Sequence, residues 1–323
     1  MWGGGWQAAQ KEVVGKSFEE ATGAKVEYVS GNPRDHIAKM LAAKGQEPPF
    51  DVVQLDDATE ELAASQGLLA KMSEKDIPEL KELFKEAFMN GEYGPGFVFT
   101  QIGIAYNAER FQQNGVPAPR RVSDLWNPKL KSKVAVPGLG TVMGPIALTA
   151  TAIEFGGSQA DIAPGLAKLK ELNPIVYTDS AQVETMFTNN EIWAALWIDG
   201  RTYSLAAKNY PIKFVRPIVG NKGLVGLSSF DTVSIVQGTK KTALADLWVR
   251  RQLSAEAGVA FAKRGNYGPT NTKAAAELAK DPKYKEQFIS DPKDLSKTLR
   301  LDNHELNQEI AAWFEKWGKA LAK

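Results

Sequence analysis

The chain has 323 residues, of which 43% are hydrophobic and 24% charged, and its net charge is +1. This length exceeds what one compact core usually carries, so we expect two lobes, and the balanced charge excludes the clustered basic face of a nucleic-acid-binding protein. Cysteine is absent, which rules out disulfides, thiolate catalysis and cysteine-ligated metal sites. The sequence shows neither an apolar run long enough to span a bilayer nor a signal-peptide pattern.

The first part of the chain alternates helix and strand patterns. After the opening MWGGGWQ, apolar residues at helical spacing predict a helix that ends at Gly23. AKVEYV then alternates as a strand does, NPRDHIAKMLAAKG predicts a helix, and PPFDVVQL predicts a buried strand. This rhythm is typical of βαβ units in a parallel sheet. Because a first helix should follow a strand, we expect either an apolar strand ahead of Met1 or a sheet that starts one strand later.

A second α/β unit is predicted from about residue 108 to residue 228. Strands are predicted at Val134–Val136 and in IVYTD, WAALWI and IKFVRPIV, with helical patterns between them. SSFDTVSIVQG then predicts a strand, and TALADLWVRRQLSAEAGVAFAKRG predicts a helix interrupted near Ser254. The final LNQEIAAWFEKWGKAL predicts an amphipathic helix that packs against a lobe.

The sequence carries no recognisable catalytic motif. In PGLGTVMGP, Met143 occupies the position at which a dinucleotide fingerprint requires its third glycine. G-x-S-x-G and P-loop patterns are absent, and His36 and His304 lack metal-site spacing, so both are expected at the surface or as caps. We therefore predict no enzyme activity and no cofactor or metal. The PGLGT turn either holds a ligand oxygen with its amides or is an ordinary tight turn.

Several segments, in order along the chain, resemble one known family. They are FEEATGAKVEYV, FDVVQLDD with ASQGLL, QIGIAYNAE, VSDLWNPKLKSKVAVP, NEIWAALWIDG, SSFDTVSI and GNYGPTN. Together they are similar to the solute-binding receptors of ABC importers, in the branch of the periplasmic spermidine/putrescine receptors. The S-D-L-W-x-P-x-x-K-x-K stretch is the most specific of these segments.

This resemblance implies an α/β fold of the two-lobe periplasmic binding protein type (type II), with a ligand cleft between lobes joined by crossing strands. Mapped onto the chain, lobe one is 1–107 plus 229–272, and lobe two is 108–228 plus 273–323. The resemblance further implies lobe closure around a solute and delivery to the permease subunits of an ABC importer. It also implies a monomer, exported to the periplasm, although no signal peptide stands in this sequence.

The resemblance places the opening WGGGW loop at the ligand. Trp2 would offer a flat apolar face, and Gly3 would let the solute approach backbone amides. Trp6 either lines the ligand or anchors the first helix by packing. Asp56 and Asp57 end a strand at the edge where ligands bind in open parallel sheets, and Asp57 is the better candidate for the cap of the next helix.

Further candidates come from the second unit. Trp197 and Asp199 stand at the end of the WAALWI strand, with Arg201 just beyond, and Gly140 and Thr141 lie in the PGLGT turn. Arg201 could bind a carboxylate of the solute in a bidentate pair. The alternative is that Arg201 and Asp199 pair with each other at the surface.

The expected solute contains an amine. Asp231 matches a family position at which polyamine receptors place a carboxylate against an amine, and carboxylates with aromatic faces suit a protonated amine. This sequence departs from the polyamine pattern, because it has Gly140, Thr141 and Val142 where those receptors carry acids. We therefore expect a polyamine or an amino-acid-like zwitterion. The alternatives are a receptor for a sugar or ferric iron, an enzyme on a similar fold, and the input domain of a sensor.

Overall fold

The computed structural model describes residues 1–88 and 91–321. The chain forms two compact units: Met1–Phe99 with Phe230–Ser296, and Thr100–Ser229 with Lys297–Lys323. The chain thus passes between units after residues 99, 229 and 296, where the sequence predicted crossings after 107, 228 and 272. Both units combine strands with covering helices, so the predicted α/β class is confirmed.

The elements follow one another in close agreement with the predicted order. The strands are β1 (Val52–Asp56), β2 (Gly96–Asn107), β3 (Val134–Pro137), β4 (Ile175–Tyr177), β5 (Ala194–Ile198), β6 (Ile212–Val215), β7 (Ile218–Val219), β8 (Leu224–Val225), β9 (Leu227–Ile235) and β10 (Gly268–Pro269). The helices are α1 (Gly5–Gln10), α2 (Lys16–Thr22), α3 (Pro33–Ala42), α4 (Asp57–Ser65), α5 (Ala108–Gln113), α6 (Gly144–Glu154), α7 (Ala163–Leu172), α8 (Ser180–Thr188), α9 (Asp199–Ala206), α10 (Thr242–Leu253), α11 (Ala255–Gly265), α12 (Thr272–Leu278), α13 (Pro282–Gln287), α14 (Pro292–Leu295) and α15 (Asn303–Leu321).

In unit one, β1 pairs antiparallel with β9, from Val52 opposite Ile235 to Asp56 opposite Asp231. β10 pairs with the first part of β2. The core of this unit is built around Trp6, which packs against Phe97, Phe261 and Tyr267. This aromatic packing holds α1 against the sheet.

In unit two, β5 lies between β2 and β3, and β4 pairs with the other edge of β3. The β3–β4 and β3–β5 pairs are parallel, as the alternating helix and strand patterns predicted, and the β2–β5 pair is antiparallel. The predicted C-terminal helix α15 packs against α7 through a face that buries Leu306 and Trp313.

Two local predictions at α10 and α3 had different outcomes. The predicted interruption is confirmed: α10 ends at Leu253, and the hydroxyl of Ser254 accepts the Ala257 N–H at 3.2 Å to cap α11. His36, expected at the surface or as a cap, is instead buried on α3, edge-on against Phe50, because the helix turns this face toward the sheet.

The predicted strand in AKVEYV is wrong, because residues 23–32 enter no ladder. Burial still alternates along this segment: Ala24, Val26 and Tyr28 are half-buried, and the residues between them are exposed. The period of two that suggested a strand is therefore present. What the segment lacks is a neighbouring strand within hydrogen-bonding distance, and a strand is assigned only through such pairing.

Candidate functional site

Two aspartates lie opposite each other at the carboxyl end of β1. The antiparallel register pairs Asp56 of β1 with Asp231 of β9. Directly opposed residues of an antiparallel pair share one face of the sheet, and their Cβ atoms lie roughly 5 Å apart. Like charges in this arrangement destabilise the pair unless hydrogen bonds or a cation offset the repulsion. Asp56 is buried and Asp231 is half-buried, so water screens the two charges incompletely.

Asp56, and not Asp57, caps the following helix. Its Oδ1 accepts the Thr59 N–H at 3.1 Å and its Oδ2 accepts the Thr59 hydroxyl at 2.6 Å. The prediction that Asp57 was the better cap is wrong, because Asp56 is the last residue with extended backbone and its side chain reaches the third residue of α4. Asp57 opens the helix instead, and its Oδ2 accepts the Phe230 N–H at 3.3 Å.

A third acid, Glu60, is buried in the first turn of α4. Its Oε1 accepts the Gly94 N–H at 2.9 Å. Carboxylates at a helix N-terminus are stabilised by the helix dipole and by the free N–H groups of the first turn. Asp56 and Glu60 therefore lie where a helix end stabilises a carboxylate, whereas Asp231 lies on strand β9.

The structure separates the roles of the opening tryptophans. Trp6 is only 9% exposed, and its Nε1 donates to Oε1 of Gln54 at 2.7 Å. This places Trp6 in the core, where it anchors α1. Trp2 is half-buried and packs edge-on against Trp6 with ring centroids 5.3 Å apart, so part of its surface faces solvent. Gly3 is exposed, and Gly4, at φ 62°, starts α1 with a backbone conformation that suits glycine.

Trp197, a candidate ligand residue in the sequence, is fully buried in unit two. Its Nε1 donates to the Ser180 carbonyl at 3.0 Å, and its ring packs against Phe187 with centroids 6.0 Å apart. A side chain enclosed in this way fills the core and presents no face to a solute.

Asp199 is also fully enclosed. Its Oδ2 accepts the side-chain amide of Gln101 at 2.7 Å, and its Oδ1 accepts the Gly200 N–H at 2.8 Å. The Gln101 oxygen in turn accepts from Nε of Arg216. Burial raises the pKa of Asp199 to about 7. The alternative in which Asp199 pairs with Arg201 at the surface is wrong, since Asp199 is buried and bonded to Gln101.

Sequence reasoning missed Gln101 and Arg216. Gln101 opens the segment QIGIAYNAE, but nothing in the sequence links it or Arg216 to Asp199. The signal that was available is a glutamine at the start of the largely apolar run QIGIAY, because a buried amide requires hydrogen-bonding partners.

Arg201 lies in the first turn of α9 and is half-buried. Within residues 1–88 and 91–321 its guanidinium makes no ion pair or side-chain hydrogen bond. A cation near a helix N-terminus is opposed by the helix dipole. Arg201 is therefore a group in unit two that an anion would stabilise.

Some of the hydrogen-bonding groups of the PGLGT turn bond to one another. The Thr141 hydroxyl donates to the Gly138 carbonyl at 2.8 Å and accepts the Gly144 N–H at 3.0 Å, which closes the turn before α6. Gly140 is exposed, and the N–H groups of Gly140 and Val142 have no hydrogen-bond acceptor in the described part of the chain. Thr141 thus stabilises the turn, while amides beside it are left for another acceptor.

The described residues were also compared with the requirements of a metal site and of a membrane-spanning helix. Among the residues that the structure describes, no three or more His, Asp or Glu side chains are grouped so that they could hold a metal ion. Over the same two stretches, no helix has both the length and the apolar character needed to cross a membrane.

Comparisons with known proteins indicate one family. A sequence model described as bacterial extracellular solute-binding protein matches residues 14–287. A comparison with curated proteins gives no match.

Several solved structures share the fold. An ABC transporter protein from Clostridium perfringens is 24% identical with a TM-score of 0.80, over 98% of this chain and 96% of that chain. The Atu4243–GABA receptor is 22% identical with a TM-score of 0.81, over 100% and 96%. The spermidine/putrescine ABC transporter substrate-binding protein PotD from Streptococcus pneumoniae is 18% identical with a TM-score of 0.72, over 95% and 94%.

Replacing Trp197 with alanine should destabilise the protein rather than act on binding alone. Loss of a fully buried tryptophan typically lowers the free energy of unfolding by about 3–5 kcal/mol. Chemical denaturation measures the change, with the half-buried Trp193 replaced by alanine as the matched control. A loss below about 1 kcal/mol for Trp197→Ala would contradict the core assignment.

Replacing Asp199 with asparagine should change how stability depends on pH. Because the pKa of Asp199 is raised from 3.8 to about 7, the folded protein keeps this proton across an interval in which the unfolded chain loses it. The contribution is complete below pH 3.8 and is lost as the pH rises through about 7. The stability advantage of wild type over Asp199→Asn should therefore shrink from pH 5 to pH 8 in thermal melts. Parallel curves for the two proteins would contradict the raised pKa.

Proposed function

The chain belongs to the family of bacterial extracellular solute-binding proteins, and we propose that its solute is a small molecule with a protonated amine. Members of this family and the structural neighbours are non-catalytic receptors that serve ABC transporters. The protein is accordingly an exported, non-enzymatic solute receptor, and its partners are a small molecule and permease subunits. Its location in the periplasm is part of the proposal.

The proposal is carried by the opposed carboxylates Asp56 and Asp231 in unit one. An ammonium group near this pair would offset the repulsion between the two charges and form charge-assisted hydrogen bonds, each contributing about 1.5–3 kcal/mol. The exposed part of the Trp2 ring lies in the same unit and could add a cation–π contact. Neutral sugars carry no charged group that could form such charge-assisted hydrogen bonds with the two carboxylates.

Two of the structural neighbours are consistent with this chemical class. One is a GABA receptor and another is a spermidine/putrescine-binding protein, and all three of those solutes carry amines. Their identity to this chain is low, so they support an amine as the class of solute and leave the individual compound to experiment.

Arg201 favours a zwitterion over a polyamine. An arginine without an ion-pair partner in the described residues suits a carboxylate, which it can bind through two parallel hydrogen bonds. The free amides of the PGLGT turn are further donors in unit two, and a long diamine would find no acid at Gly140 or Thr141. The proposed solute therefore carries both an amine and a carboxylate. Closure of the two lobes around it stays a prediction.

Replacing Asp231 with asparagine should weaken binding of the amine by about 10- to 100-fold, because one charge-assisted hydrogen bond is lost. The solute that copurifies is first released by denaturation and identified by mass spectrometry. Calorimetry then measures its affinity, with GABA, putrescine and spermidine as reference probes. Asp35→Asn is the control, since Asp35 is an exposed acid on α3 of the same unit. Equal affinity of wild type and Asp231→Asn, at unchanged melting temperature, would remove Asp231 from the site.

Replacing Arg201 with glutamine should affect the binding of a zwitterion and the binding of a polyamine differently. Affinity for a zwitterion such as GABA should fall by about tenfold or more, whereas affinity for putrescine should be unchanged or higher. Arg120→Gln, at an exposed arginine of the same unit, is the control. A zwitterion that binds both proteins equally would contradict the role given to Arg201.

A further inference from the structure

Three strands of unit two end at the same edge of its sheet. β3 lies between β4 and β5 and runs parallel to both. The carboxyl ends of parallel neighbours lie side by side, about 5 Å apart, and open α/β sheets bind ligands at this edge. β3 leads into the PGLGT turn, and β5 leads into the turn of α9 that carries Arg201. The turn amides and the guanidinium proposed to bind the carboxylate of the solute therefore belong to one edge of unit two.

Exposed apolar side chains gather around the PGLGT turn. Val142 directly follows the turn and is exposed, and Phe314 of α15 is 46% exposed. A Cβ atom added at Gly140 would lie 3.9 Å from the Phe314 ring, so this ring stands against the turn. The exposed Val176 lies in the same way against Gly138. Single exposed apolar residues are ordinary on a protein surface, whereas a group of them beside unpaired polar groups is typical of a binding site.

The packing of α15 does not account for an aromatic residue at position 314. Trp313 is the residue that this part of α15 buries, and it is 2% exposed. Consecutive residues of a helix point about 100° apart, so Phe314 is turned away from the direction in which Trp313 is buried. The Phe314 ring therefore provides a surface beside the turn and adds little to the core.

Gly140 leaves this surface open. Its φ lies outside the left-handed region, so the backbone at this position does not require glycine. Any side chain here would begin in contact with the Phe314 ring and would cover part of it. With glycine, the ring stays uncovered next to the N–H groups of Gly140 and Val142, which have no acceptor within residues 1–88 and 91–321.

We propose that Phe314 and Val142 form an apolar subsite in unit two, and that the solute is a zwitterion that also carries an apolar group of about the size of a phenyl ring. This inference rests on the proposed function, in which Arg201 and the turn amides bind the carboxylate. A carboxylate held there would place the rest of the solute beside the ring, and contact with Phe314 would remove apolar surface from water. GABA and putrescine have no such group and would leave the subsite empty.

Two matched pairs of probes test the subsite: L-alanine with L-phenylalanine, and GABA with 4-amino-3-phenylbutanoate. The members of a pair have the same ammonium and carboxylate groups and differ by one phenyl ring. Calorimetry on the wild type should show about tenfold tighter binding of the phenyl-bearing member of at least one pair. Phe314→Ala should lose this preference, while its affinity for the smaller member stays within about twofold of wild type.

Val225→Ala is the matched control. Val225 is another exposed apolar residue of unit two and lies on β8, which pairs with β7. Gly220, which follows β7, donates its N–H to Glu154 at 2.7 Å, and Glu154 ends α6, whereas the PGLGT turn precedes the start of α6. The control should keep the wild-type affinities and the preference for a phenyl ring.

Two results of this experiment would overturn the proposal. One is equal affinity of the wild type for both members of each pair. The other is a preference for the phenyl ring that Phe314→Ala retains in full. If none of the four zwitterions binds, the proposed function is contradicted, and the subsite is then tested on its own.

That second test uses a fluorine NMR label, 4-fluorophenylalanine, at position 314. The solute released from the protein by denaturation is added back to the labelled protein. A shift of the signal supports the subsite whatever class the solute belongs to. The same label at Phe155, whose ring packs against Trp126, is the control. An unshifted signal at position 314, or an equal shift at both positions, would overturn the subsite.

Discussion

The antiparallel pairing of β1 with β9 is the constraint on which the candidate chemistry depends. These strands come from distant parts of the chain, and their register alone brings Asp56 and Asp231 face to face. The capping of α4 then fixes Asp56, because both of its carboxylate oxygens bind Thr59. A carboxylate held in this way stays on the same face of the sheet as its neighbour Asp231.

Unit two handles its buried charge differently. Asp199 is enclosed with Gln101, which in turn accepts a hydrogen bond from Arg216, and the chain of polar groups satisfies itself. A buried network of this kind stabilises the start of α9. Arg201, two residues after Asp199, is the opposite case, since it is half-buried and unpaired within the described residues. Within one helix turn, Asp199 therefore has a structural role, and Arg201 has a proposed role in binding.

The opening WGGGW loop contains one tryptophan that packs in the core and one that is proposed to contact the solute. Trp6 anchors α1 in the core, and Gly4 provides the backbone turn by which the chain enters the helix. Trp2 lies between this anchor and the parallel pairing of Met1 with Ser30. The main chain is thus held in place both before and after Trp2.

The sequence by itself determined the α/β class, the order of nearly all helices and strands, the break at Ser254 and the family, because these depend on local periodicity, capping residues and the spacing of segments along the chain. It could not determine which predicted strand finds a partner, and AKVEYV has strand alternation without a ladder because pairing requires a second segment of chain. Tertiary structure alone decided burial. Trp197 lies in β5, and Asp199 and Arg201 follow it in the first turn of α9. Packing of α9 and β5 encloses Trp197 and Asp199 but leaves Arg201 half-buried. The opposition of Asp56 and Asp231 was likewise decided by strand register, which no local pattern in either segment records.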